Sequence, residues 1–351
     1  MSKIERIVLH IGKRKTGSSS IQASLQGFNA DGFRYADLPK PNHSRVMLGL
    51  IDRLMQREKR RAKDAVPADL DDRRGFRHRQ IEEAIGDAPA RTVLFSAESL
   101  EKVTNEEAAS IVDFFARFTD RVEVIGFVRP PRSSQVSQFQ ERLKHGYHRA
   151  RLPSPVYRET FEPFVRRLGA EAVKIVPFLP AQFVDGSLLK TFLSALGEPD
   201  IAVEEVRRNE GMSAAATKVL FAFNRMVADS SGNDNADAHM AVARRIARAL
   251  PGEKLSLSDD CHPRGKLVDD VAWLKEVSGI DFSADLHRMN PDARAASARF
   301  EAELTAIPAG AGEQLSEYVR KRTGFAAGTM EEALRHLNAV TRPDSVGADI
   351  P

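Results

Sequence analysis

The part of the chain that most restricts its fold runs from Ile7 to Gln22. A short apolar run, Ile7-Val8-Leu9-His10-Ile11, gives way to Gly12-Lys13-Arg14-Lys15-Thr16-Gly17 and then to Ser18-Ser19-Ser20-Ile21-Gln22. A bounded apolar run of that length predicts a buried strand, and Ile21 with Leu25 predicts one face of a helix. The two glycines bracket a turn dense in cations and hydroxyls. Strand, glycine turn and helix N-terminus together collect a phosphate-like anion. Successive N–H groups converge on one spot, and the helix dipole favours negative charge there. Lys15 adds a point charge, and Ser18, Ser19 and Ser20 add hydroxyl donors.

The spacing Gly12-x-x-x-x-Gly17 matches the front half of a nucleotide-triphosphatase P-loop, which continues with Lys and then Ser or Thr. Here Ser18 stands where that lysine belongs, and the lysine lies earlier, at position 15. A P-loop kinase also needs an aspartate closing an apolar strand to hold magnesium. The strand ends Phe95-Ser96-Ala97-Glu98 and Phe127-Val128-Arg129 offer only Glu98 as a partial substitute. A triphosphate-plus-metal reading is therefore weakened at two points.

At this loop the chain resembles the PAPS-dependent sulfotransferases (PAPS is 3′-phosphoadenosine 5′-phosphosulfate). The likeness is to the bacterial branch with a Lys-Thr-Gly-[Ser/Thr]-[Ser/Thr] loop near the N-terminus. The matching residues are Lys15, Thr16, Gly17, Ser18 and Ser19. The resemblance implies that this loop, with Gly12 and Arg14, cradles the 5′-phosphosulfate and that Lys15 reaches the bridging oxygen. A second motif follows. Arg121 to Val128 reads as a strand that ends at Arg129 and breaks at Pro130-Pro131, with a helix from about Ser133 to Lys144. Family members place an arginine at such a strand end and a serine eight residues on, both on the 3′-phosphate; Arg129 and Ser137 have that spacing. An arginine fork matches phosphate oxygens, and a hydroxyl a turn or two later can reach the same group. Arg132 and Ser134 are close enough to compete for these roles. Looser likenesses are Glu141 to Gly146, Val206 to Ser213, and Trp273-Leu274-Lys275 with Gly279 to Phe282. Arg207 and Arg208 open the later part of the chain and are read as closing over the 3′-phosphate or as ordinary surface charges.

Sulfuryl transfer to a hydroxyl requires an aligned donor, stabilisation of the leaving phosphate and removal of the acceptor proton. Lys15 suits the leaving-group role. Glu98, just past the strand Arg91 to Phe95, is the first candidate base, because parallel strands gather their C-terminal ends at one edge. Capping of the following helix explains Glu98 equally well. His43, in the polar turn Pro41-Asn42-His43-Ser44, is the second candidate, set against a surface turn residue. His10 reads as a satisfied core residue, and His145 and His148 flank Gly146 as minor candidates for touching an acceptor.

Composition sets the outer limits. Net charge is only +3, which does not argue for nucleic acid beyond a concentrated basic patch. The charged run Arg57 to Arg61 is followed by Asp64, Asp69, Asp71 and Asp72 and reads as a solvated helix face. Cys261 is the single cysteine, so no internal disulfide forms, and no Cys/His set has zinc spacing; no metal is expected. No apolar stretch approaches membrane-spanning length, and Ile7 to Ile11 is too short for a signal-peptide core. The expected location is the cytoplasm.

Strands at Arg6–Ile11, Thr92–Phe95, Val122–Val128 and Val173–Val176 alternate with helical patterns, most clearly Glu106–Phe118, Ser133–Lys144, Pro155–Leu168 and Leu188–Leu196. This alternation predicts an α/β fold with a parallel sheet covered on both faces. The resemblance implies a P-loop-like, three-layer form. Helices dominate beyond about residue 200. The expected organisation is a core over 1–200, a helical extension over 201–340 that completes the same domain, and a flexible tail over 341–351. The leading function is sulfuryl transfer from PAPS, without metal, to a hydroxyl or amine of a carbohydrate or other small acceptor. The alternatives are an ATP-dependent kinase and a non-catalytic binder. The acceptor and the oligomeric state are not written in the chain.

Overall fold

Six strands form one sheet in the order β2-β3-β4-β1-β5-β6. They are β1 (Ile4–Ile11), β2 (Asn29–Ala30), β3 (Phe33–Tyr35), β4 (Ala90–Ala97), β5 (Val122–Val128) and β6 (Val173–Pro177). In this computed structural model the residues described are 4–12, 15–51, 70–86, 89–206, 211–229 and 236–341. Every pairing is parallel except β2 with β3. The central strands are near-continuous apolar runs because both of their faces are covered. β1 lies between β4 and β5, with Val8 opposite Leu94 and His10 opposite Ser96.

On one face, α1 (Ser18–Leu25) and α7 (Leu188–Leu196) pack Ile21, Leu25, Leu189, Phe192 and Leu193 against Val8, Leu94, Ile125 and Phe127. On the other face, Phe115 of α4 (Asn105–Phe115) meets Phe95 at 4.9 Å between ring centroids. Phe161 of α6 (Arg158–Leu168) lies against Gly126 of β5, where a Cβ would come within 2.9 Å of its ring. A capping box between Thr104 and Glu107 starts α4. Ser187 caps α7, and a left-handed Gly197 ends it. The remaining helices are α2 (Ser44–Met47), α3 (Leu70–Ile85), α5 (Pro131–Lys144), α8 (Ala214–Asp229), α9 (Ala236–Ala249), α10 (Leu267–Ser278), α11 (Ser283–His287), α12 (Ala293–Thr305), α13 (Ala311–Thr323) and α14 (Met330–Ala339).

The chain divides into two units, and the division does not follow sequence order. Unit 1 comprises Met1–Pro130, Val156–Asn209 and Asp269–Ser283; unit 2 comprises Pro131–Pro155, Glu210–Val268 and Ala284–Pro351. The sheet belongs to unit 1. Unit 2 is helical and centres on Phe139, Leu143, Phe223, Phe300, Leu315 and Leu337. The expected blocks 1–200 and 201–340 are therefore interleaved. α5 leaves the sheet strand β5 to join the helical unit, and most of α10 returns to the sheet unit. Features not foreseen include the β2–β3 hairpin, whose strands are only two and three residues long, and the helices α3, α11 and α14. The charged run 57–61, the turn at 230–234 and the expected tail from 342 lie outside the described residues. Among the described residues no helix is long and apolar enough to cross a membrane.

Candidate functional site

β1 ends at Ile11, and the chain turns before α1 begins at Ser18. Two of the described residues of this turn have positive φ, Lys15 at 66° and Gly17 at 79°. Left-handed backbone costs a non-glycine residue about 1–2 kcal/mol, so Lys15 is held there against its preference. Backbone of this kind turns successive N–H groups inward into an anion-binding concavity. Gly17 is the N-cap of α1 and supplies no side chain, and the first turn of the helix carries no acid. The positive end of the helix dipole is therefore not offset by its own sequence. Thr16, Ser18 and Ser20 are buried around the turn.

Both glycines are required by close approach. A Cβ on Gly12 would lie 2.8 Å from Glu98 Cγ and 3.1 Å from Ser18 Oγ. The side chain of Glu98, at the end of β4, therefore rests against the loop beside Ser18. This is the parallel-strand-edge placement anticipated from the order of the strands. A Cβ on Gly17 would overlap the Leu188 Cδ2 methyl and come within 3.5 Å of Phe178 Cε2.

Phe178 joins the loop to the second expected contact. The Arg129 guanidinium carbon lies 4.0 Å above the centre of the Phe178 ring, a cation–π stack. Gly17 and Arg129 thus both lie near one aromatic ring. Arg129 Nε is buried with no hydrogen-bond partner, and among the described residues no carboxylate pairs with the guanidinium. Burial without a compensating acid pulls the Arg129 pKa down to about 10. The side chain remains a cation at neutral pH, with no counter-charge among the described residues.

The residues considered as competitors are committed elsewhere. In unit 2, Arg132 Nε donates to Asp285 Oδ1 at 2.7 Å and its Nη1 pairs with Asp259. Ser134 Oγ accepts from Gln138 Nε2 at 2.9 Å. Ser137 is half-buried on α5 of unit 2. Arg14, Arg207 and Arg208 lie outside the described residues, although the neighbouring Val206 N–H donates to Ser24 Oγ of α1 at 2.8 Å. His145 and His148 are exposed, and His145 Nε2 is 3.5 Å from Glu141.

The two candidate bases occupy segments bonded to each other. His43 N–H donates to the Ser96 carbonyl at 2.9 Å, and Ser99 N–H donates to Ser44 Oγ at 2.9 Å. His43 is 1 % exposed, which removes the surface-turn explanation. Its Nδ1 accepts from Ser96 N–H at 3.2 Å, so the ring proton sits on Nε2, which is buried and unpartnered. The one lone pair of the neutral ring is already used. Burial also lowers its pKa to about 4. Glu98, the other candidate, is half-buried beside the loop.

A buried polar cluster underlies the site. His10 Nδ1 and Gln22 Nε2 meet Ser96 Oγ at 2.8 and 3.0 Å. The partners His10 and Ser96 face each other across the β1–β4 register, while Gln22 reaches down from α1. His10 is only partly satisfied, since its Nε2 has no partner, and burial lowers its pKa to about 3. Ser96, Gln22 and Phe178 were missed in the sequence. For Phe178 one signal existed: an aromatic residue directly after a parallel strand, at the edge where ligands bind.

The chain matches no model of a known protein family, and no curated protein and no solved structure is found to be similar to it.

Proposed function

We propose that this protein is a sulfotransferase that uses PAPS to sulfate a hydroxyl or amine of a carbohydrate or other small acceptor. The observation that carries this reading is Arg129: a half-buried cation whose Nε is buried without a partner, with no acid paired to it among the described residues, near the same Phe178 ring as the anion-collecting turn. Two anion sites a short distance apart suit a nucleotide bearing phosphate at both its 5′ and 3′ positions. β1 at the centre of the sheet, with parallel β4 and β5 beside it, supports a P-loop-like arrangement. When bound, PAPS supplies the sulfuryl group: the bond from sulfur to the bridging oxygen breaks as the acceptor oxygen or nitrogen bonds to sulfur.

In this reading the amides of the Lys15–Ser18 turn hold the 5′ end. Lys15 neutralises charge as the electron pair collects on the departing phosphate oxygen. Arg129 grips the 3′-phosphate. Glu98 takes the acceptor proton. The cytoplasm is the compartment this reading implies.

One observation favours a second reading. Glu98 beside Ser18 puts an acid from the neighbouring strand next to a loop hydroxyl, the pairing that holds magnesium in P-loop kinases. Thermal unfolding with added nucleotide separates the two. Sulfuryl transfer predicts stabilisation by adenosine 3′,5′-bisphosphate without metal, lost in Arg129→Ala. Stabilisation by ATP with magnesium alone would favour the kinase, and no response to either would leave a non-catalytic binder.

A further inference from the structure

We infer that Tyr157 is a positioning residue that makes the nucleotide site selective for a ligand with a 3′-phosphate, by fixing the backbone of Arg129; this rests on the reading of Arg129 given above. The end of β5 sets the backbone on the N-terminal side of Arg129. Val128 is its last residue, and its carbonyl accepts from Phe178 N–H at 2.6 Å. Pro130 and Pro131 follow Arg129, and neither has an N–H to anchor the chain. Once the strand has left the sheet, the Arg129 carbonyl takes its hydrogen bond from the Tyr157 hydroxyl at 2.6 Å. Backbone bonds thus hold Arg129 on both flanks, one through Phe178 and one through Tyr157. The ring of Phe178 also carries the guanidinium. Backbone and side chain are set together, so a small rotation of the Arg129 peptide would swing the cation off its platform.

Tyr157 itself is held by a segment far away in sequence. Its N–H and that of Arg158 donate to the two carboxylate oxygens of Asp270, each at 2.7 Å. Asp270 thereby caps the N-terminus of α6, where Tyr157 is the N-cap and offers no side-chain cap of its own. Phe282 packs on the Tyr157 ring, 6.0 Å between centroids. Tyr157 is fully buried. Asp270 and Phe282 both belong to the stretch Asp269–Ser283 that returns to unit 1. The Trp273 and Gly279–Phe282 motifs, which had no assigned role, sit in that stretch, and steadying Tyr157 is a reason for it to return.

The test uses isothermal titration of the full chain with adenosine 3′,5′-bisphosphate and with adenosine 5′-monophosphate, which lacks the 3′ group. Tyr157→Phe keeps the ring and deletes the hydroxyl. Affinity for the bisphosphate is expected to fall about tenfold, while affinity for the monophosphate stays within about twofold. A purely structural tyrosine would weaken both ligands together or neither, and either result overturns the inference. Asp270→Asn, which leaves the hydroxyl in place but loosens its support, is expected to shift the same ratio in the same direction by a smaller factor. It carries the test if Tyr157→Phe does not fold, and an unchanged ratio then counts against the inference. Should the wild type bind both ligands equally, the reading of Arg129 fails and this inference with it. Should the wild type discriminate while the Tyr157→Phe ratio is unchanged, only the role of Tyr157 fails.

Discussion

Arg129 and Arg132 are three positions apart, one in each unit, and their surroundings are opposite. Arg132, at the start of α5, is answered by acids. Asp285 accepts its Nε at 2.7 Å and its backbone N–H at 2.8 Å, and Asp259 pairs with its Nη1 while accepting Arg288 Nε at 2.8 Å. Arg129, at the end of β5, has a phenylalanine ring and a buried, unpartnered Nε. Burying a charge is unfavourable unless it is paired. Arg132 meets that condition within its own unit, so structure explains it. Arg129 does not, so the missing charge is expected to arrive with a ligand. Both arginines are half-buried; a counter-charge among the described residues is what separates them.

Removing each arginine should break this contrast in opposite ways. Arg129→Ala is expected to abolish transfer and the response to adenosine 3′,5′-bisphosphate while leaving the melting temperature equal to or above wild type, because it deletes an uncompensated cation. Arg132→Ala is expected to leave Asp285 without its cation, while Asp259 keeps Arg288, and to cost about 1–3 kcal/mol of stability by denaturant unfolding. A stability loss in Arg129→Ala as large as that in Arg132→Ala would erase the distinction.

At the other end of the nucleotide, Lys15→Ala is expected to lower turnover by about 10²–10³-fold. Glu98→Gln is expected to lower turnover while sparing bisphosphate binding; full turnover in that variant would remove Glu98 as the base. Gly17→Ala should lose bisphosphate affinity together with about 1–2 kcal/mol of stability or more, from the left-handed backbone and the overlap with Leu188.

A pH effect concerns groups buried neutral rather than charged. His10 and His43 hold protons more weakly in the folded chain than in the unfolded one, with pKa values near 3 and 4. The unfolded chain therefore takes up protons first as pH falls. Their contribution to stability is whole above about pH 6.5 and is lost progressively down to about pH 4 for His43 and about pH 3 for His10. The loss is about 1.4 kcal/mol per pH unit for each histidine. His43→Gln, which can still accept from Ser96 N–H, should flatten this acid limb in urea titrations, and an unchanged slope would count against the assignment.

The two motifs differ in how much of them could be read from residues alone. The parallel strands are legible because burial on both faces leaves unbroken apolar runs, and Val122–Val128 is found with the bounds expected. β4 runs past Phe95 to Ala97, since the His10–Ser96 contact keeps a polar residue inside the sheet. α6 begins at Arg158, not Pro155, because its cap comes from Asp270, more than a hundred positions away. The same long range hides the unit boundaries, since local pattern carries no record that 131–155 joins one unit and 269–283 the other. Within the site, the loop announces itself through its glycines and cations. The lack of an acid paired with Arg129 among the described residues, and the ring beneath it, are properties of space and not of spacing.

The most direct test of the central claim is a crystal structure of the protein with adenosine 3′,5′-bisphosphate bound. The account predicts the 5′-phosphate on the amides of the Lys15–Ser18 turn and the 3′-phosphate within about 3 Å of the Arg129 guanidinium, still seated on Phe178. A bisphosphate bound elsewhere, or one at the turn with Arg129 left unpaired, would contradict it.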